Sequence, residues 1–134
     1  MCRRRRETAT VRKQYHFRPG PDGLMAWDVD RLIAMVEDAA VETIALSEIA
    51  ELDTTYWFDH GYERTVRTVV EHFRLVQQVE MDYPIVIDPD GRVMDGMHRV
   101  ARALLDGAAT INAKRLRALP EPDYVDCHPD DLPY

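Results

Sequence analysis

Cysteine is nearly missing from this chain: its 134 residues hold two, Cys2 and Cys127, at opposite ends and without C-x-x-C spacing. Neither a disulfide framework nor a structural zinc site is therefore expected. Long apolar runs are also missing. None approaches the roughly 20 residues needed to cross a bilayer, and the start lacks the apolar stretch of a secretory signal. A cytoplasmic protein with no membrane partner is expected. There is no internal repeat, and the length fits one domain that buries its own core.

Charge is plentiful but unevenly spread. Through Arg18 the chain carries seven basic residues, including the run Arg3 to Arg6, against the single acid Glu7. The remainder holds 10 basic against 23 acidic residues, and the whole chain carries −7. So acidic a body repels a nucleic-acid backbone, and DNA binding would have to come through the arginine tail. The expected organisation is a basic segment over 1–18, a folded domain over 19–118 and a tail over 119–134. That tail holds four of the eight prolines and is expected to lie extended on the surface.

Hydrophobic periodicity predicts a mixed fold. Val11, Lys13, Tyr15 and Phe17 alternate with Arg12, Gln14 and His16, the pattern of a half-buried strand ending before the Pro19-Gly20-Pro21 break. Asp28 or Asp30 can cap a helix carrying Leu32, Ile33, Met35, Val36 and Ala39. A second helix is expected from about Thr65 to Glu80, facing a sheet with Val66, Val69, Val70, Phe73 and Val76. Strand Ile85-Val86-Ile87 follows Pro84, Asp88-Pro89-Asp90-Gly91 makes a turn, and Arg92-Val93-Met94 returns. A helix bounded by Gly107 and with an inner face of Val100, Ala101, Leu104 and Leu105 comes next, then a last strand from Ile111 to Leu116.

The chemistry concentrates at Asp95-Gly96-Met97-His98-Arg99, where a short strand hands over to that helix. Gly96 permits a sharp turn and close approach of a ligand to the main chain. Asp95 can accept from first-turn amides or stand beside a magnesium ion. His98 and Arg99 are cations in a first turn, unfavourable against the helix dipole unless an anion reverses the balance. Arg99 offers a fork suited to phosphate oxygens, and His98 a donor that changes charge near neutral pH. Other groups carry less. His60, Glu63 and His72 have a spacing that metals use but no second cluster, and Tyr56-Trp57-Phe58 reads as a core corner before a base-stacking platform.

These residues resemble the ParB/sulfiredoxin superfamily over roughly Thr43 to Leu116, most specifically in P-I-V-I-D-P-D-G-R-V-M-D-G-M-H-R-V-A-R-A-L-L-D-G. The resemblance implies a single compact α+β domain, a small mixed sheet flanked by helices. Met97 stands where sulfiredoxins carry their reactive cysteine, so that chemistry lacks its nucleophile. Gly96 and Arg99 match the spacing of the CTP-binding partition proteins, with His98 where an arginine is usual. Asp95, Gly96, His98, Arg99 and Ala101 match the loop of the free-serine kinases, from which Met97 and Val100 depart.

What the resemblance implies for function is binding of ATP or CTP through Gly96, Met97, His98 and Arg99, with Mg2+ at Asp95. Phosphate transfer to a small-molecule acceptor would use Asp95, His98 and Glu48, the last as base. The alternatives are a nucleotide-switched, DNA-associated or regulatory module and a non-catalytic binding protein. Oligomeric state and the pocket built by Asp53 to Gly61 do not follow from the sequence.

Overall fold

The computed structural model describes residues 13–59 and 63–134; Cys2, the Arg3 to Arg6 run, Val11 and His60 lie outside them. Three α-helices and two sheets make up the described residues, an α+β composition as the sequence predicts. Among these residues no helix is long and apolar enough to cross a membrane. The chain divides into two units, one described over 13–37 and 119–134, the other over 38–118.

The first unit is built on a hairpin. Strands β1 (Tyr15–Gly20) and β2 (Gly23–Asp28) pair antiparallel from Tyr15↔Asp28 to Gly20↔Gly23 around the two-residue turn Pro21-Asp22. Helix α1 (Val29–Met35) follows directly, its N-cap Asp28 accepting from the Asp30 amide at 2.9 Å and from Lys13 Nζ at 2.8 Å. Val29, Leu32 and Val36 are buried, whereas Ile33 and Met35 are exposed.

Three expectations fail in this unit: the first strand runs on through Pro19 to Gly20, residues 119–134 are seated in the fold, and Cys127 is bonded. On β1 the deeply buried side chains are His16 and Arg18, while Tyr15 and Phe17 are half-buried. Arg18 stays on that face because its guanidinium lies 5.9 Å from the Trp27 ring centroid, a cation–π arrangement, and its Nε donates to His16 Nε2 at 2.9 Å. Tyr15 instead meets Tyr124 and Tyr134 edge-on, at 5.9 and 5.3 Å between ring centroids. Residues 119–134 do more than lie on the surface. Tyr124–Val125, the last of the seven strands among the described residues and here β7, pairs antiparallel with β2; Pro120 O accepts from Trp27 Nε1 at 2.8 Å; and Leu132 is fully buried. Cys127 is disulfide-bonded, against the expectation of no disulfide.

The second unit carries the four-stranded sheet β3-β6-β4-β5. Its strands are β3 (Val41–Ala45), β4 (Ile85–Ile87), β5 (Val93–Asp95) and β6 (Thr110–Arg115). β3 and β5 are antiparallel to their neighbours, and β4 and β6 are parallel to each other. The turn between β4 and β5 forms as expected, with Asp88 Oδ1 accepting from the Asp90 and Arg92 amides, both at 2.9 Å. Helix α3 (Met97–Leu105) joins β5 to β6 and ends at Gly107, whose φ of 75° suits glycine. Leu46, Ile49, Ile85, Ile87, Val93, Met97, Val100, Ala103 and Ala113 form one core.

Helix faces differ from the expectation. α3 turns in Met97, Val100 and Ala103, leaving Leu104 and Leu105 exposed. On α2 (Val66–Gln78) only Val76 is buried; Val66, Val69, Val70 and Phe73 are exposed. The line of α2 that faces inward contains His72 and Val76, four residues apart, so the most apolar stripe of the helix is not its packing stripe.

Candidate functional site

β5 ends at Asp95 and α3 begins at Met97, with Gly96 between them at φ 105°, a left-handed conformation that favours glycine. Gly96 is the N-cap, and among the described residues no side chain bonds the first-turn amides. Those N–H groups have no partner within the helix and carry the positive end of its dipole. A Cβ on residue 96 would lie 2.6 Å from Ile85 Cγ2, 2.7 Å from Arg99 Nη2 and 3.0 Å from Arg99 Nε. Only glycine therefore lets the guanidinium fold over the junction.

Asp95 does not cap α3. Its Oδ2 accepts from Arg99 Nη2 at 2.9 Å, and the two side chains are only 13% and 14% exposed. The first-turn cation is thus balanced by an internal anion. Arg99 Nε remains a buried donor without a hydrogen-bond partner, as does Trp57 Nε1. Such donors cost about 1–3 kcal/mol each when left unanswered.

His98 lies one residue before this pair in the chain and reaches α2. His72 Nδ1 and His98 Nε2 are 3.0 Å apart, so one ring donates and the other accepts. Both rings lie nearly parallel to Trp57, from the 3-10 turn Tyr56–Phe58, with centroids 4.7 Å from the indole and planes tilted by 8° and 16°. Burial, and then the neighbouring His72, pushes His98 down to about 4, and burial also lowers His72 against the opposing effect of Glu71. His98 is therefore neutral at pH 7, where its residue type alone predicts a titrating group.

Glu48 ends the 3-10 turn Leu46–Glu48 that follows β3, and it is exposed. Because β3 and β5 run in the same direction, Glu48 and Gly96 leave the sheet at the same end, from its two opposite edge strands. Two strands separate them, roughly 14–15 Å at the usual spacing. No hydrogen bond or ion pair among the described residues joins Glu48 to 95–99. That end of the sheet thus carries both, but contact between them would require a bridging ligand.

Three residues escaped the sequence reading. His72 had attracted attention only as a metal candidate; among the described residues no group of three metal-ligating side chains forms. Trp57 is a platform for two imidazoles. Glu51 is buried and accepts from the Val93 amide at 2.8 Å, pinning its 3-10 turn, Ala50–Asp53, to β5. The detectable signal for His72 was its place four residues before Val76 on the helix.

Comparison with protein-family models, curated proteins and solved structures returns no match.

Proposed function

We propose that this chain binds a nucleoside triphosphate, ATP or CTP, by its phosphates at the junction of β5 and α3, within a domain of ParB/sulfiredoxin kind. The observation that carries the reading is the donor set at Gly96: an uncapped helix start beside a buried Arg99 Nε that lacks an acceptor. Phosphate oxygens would accept from the amides of Met97 and His98 and from Arg99. A nucleotide-bound magnesium ion keeps several waters and needs only one or two protein carboxylates, and Asp95 would supply one.

If phosphate is transferred, Arg99 and the amides hold the phosphates, Asp95 orients the metal-bearing group, and Glu48 accepts the proton of a small acceptor. His98, neutral and engaged with His72, would contribute a hydrogen bond rather than a charge. That engagement favours a second reading, binding without catalysis, as in a nucleotide-switched module. A phosphotransfer assay on the same protein separates the two.

Calorimetric titration with ATP and with CTP, each with and without magnesium, tests the binding reading. Saturable binding is expected, and Arg99→Ala should weaken it about ten- to a hundredfold, roughly 1.5–3 kcal/mol for one charge-assisted contact. Absence of binding, or equal affinity in the variant, would make D-G-M-H-R a structural turn.

A further inference from the structure

α2 is a helix with little apolar hold on its own unit. Of its 13 residues only Val76 is buried, while Val66, Val69, Val70, Phe73 and Leu75 are exposed. Two other attachments join it to α3. Arg102 Nη1 donates to the carbonyls of Gln77 at 2.7 Å and Val76 at 3.4 Å, closing the end of α2. The second is the imidazole pair, His72 from α2 and His98 from α3.

The geometry of that pair is specific. With ring centroids 5.2 Å apart, planes within 16° and nitrogens 3.0 Å apart, the two imidazoles meet edge to edge, and both lie against Trp57. Such an arrangement needs one proton between the facing nitrogens. A second proton there turns both into donors, breaks the hydrogen bond and sets two cations against each other in a part-buried site.

We propose that the His72–His98 pair on Trp57 is an acid-sensitive latch that holds α2 on α3 and releases it when both rings are protonated. The surrounding charges do not prevent this. Glu71, beside His72, favours the first proton, and His72 then opposes a charge on His98. On the α3 side Arg99 is committed to Asp95, and Arg102 to Asp106 and the α2 carbonyls. After the 3-10 turn, Asp59 accepts from Thr55 Oγ1. The sign follows from the lowered pKa values: the released form binds protons more tightly. The hold is therefore complete above the ordinary histidine range, weakens as pH falls below about 6.5, and is fully lost below about 4 for His98. The device is independent of whether a nucleotide binds at Gly96.

Hydrogen exchange of the full chain, corrected for intrinsic rates and compared at about pH 7.5 and about pH 4.5, reads the latch directly. Protection of α2 amides relative to β6 amides should fall about tenfold or more on acidification. His72→Asn and His98→Gln each put an amide nitrogen near the hydrogen-bonding position of the replaced ring and leave one titrating ring; in either, the fall should be smaller than in the parent, and with both substitutions the ratio should stay nearly constant. Loss of α2 and β6 protection in step in the parent would overturn the proposal, as would an undiminished acid response in both variants. The parent measurement stands even where a variant fails to fold.

Discussion

Two strands of this chain run straight into helices, and their junctions use a carboxylate in opposite ways. At β2–α1 the carboxylate of Asp28 caps the helix, bonding the Asp30 amide. At β5–α3 the carboxylate lies one residue earlier, on Asp95; it turns to Arg99, and a glycine occupies the cap. The first arrangement answers the positive end of its helix from within the chain. The second leaves amides open and spends the anion on a guanidinium. What separates them is one inserted glycine at φ 105°, which moves the acid out of capping position and makes room for the arginine.

The largest break in that comparison is Gly96→Ala. It forces a Cβ into a left-handed conformation and against Ile85, a fully buried side chain. Backbone strain and overpacking together predict a loss of roughly 2–4 kcal/mol. Urea denaturation followed by circular dichroism measures it; a midpoint unchanged from the parent would mean that the junction relaxes freely and that glycine is not required there.

Next comes Asp28→Ala, which removes the cap of α1 and one partner of Lys13. The expected loss is about 1 kcal/mol, and Asp28→Asn, which still caps, should recover much of it. Equal losses for both substitutions would assign the effect to the Lys13 ion pair instead of the cap.

Much of this was legible in sequence because it is local. Asp88-Pro89-Asp90-Gly91 names its own turn, Gly107 its helix end, and Asp95-Gly96 the sharp handover to α3, while the cap of α1 was narrowed to Asp28 or Asp30, of which Asp28 serves. Helix faces were harder. On α2 a run of valines outweighs the His72–Val76 line, and nothing within the helix says which stripe meets a neighbour. The ring cluster joins residues 26 apart, His72 and His98, and depends on Trp57 from a turn with no pattern of its own. The tail beyond Leu119 reads as surface from its prolines and acids, yet buried Leu132, pairing with β2 and the Trp27–Pro120 hydrogen bond seat it. Long-range pairing decides these cases, and composition does not record it.

The smallest effect sharpens the comparison most. If the open amides of α3 are an anion site and the answered amides of α1 are not, inorganic phosphate should discriminate between two helix starts in one molecule. Titration followed by amide NMR is expected to shift Met97, His98 and Arg99 while leaving Val29, Asp30 and Arg31 in place. The stabilisation is slight: at a phosphate concentration equal to Kd, mass action adds only about 0.4 kcal/mol. Chemical shifts report it where a melting curve would not. Arg99→Ala should abolish the shifts at Met97 and His98 if the guanidinium helps hold the ion. Equal shifts at both helices would reduce the effect to nonspecific ion pairing, and silence at α3 would mean that Asp95 already satisfies the junction and that the missing side-chain cap is left to water.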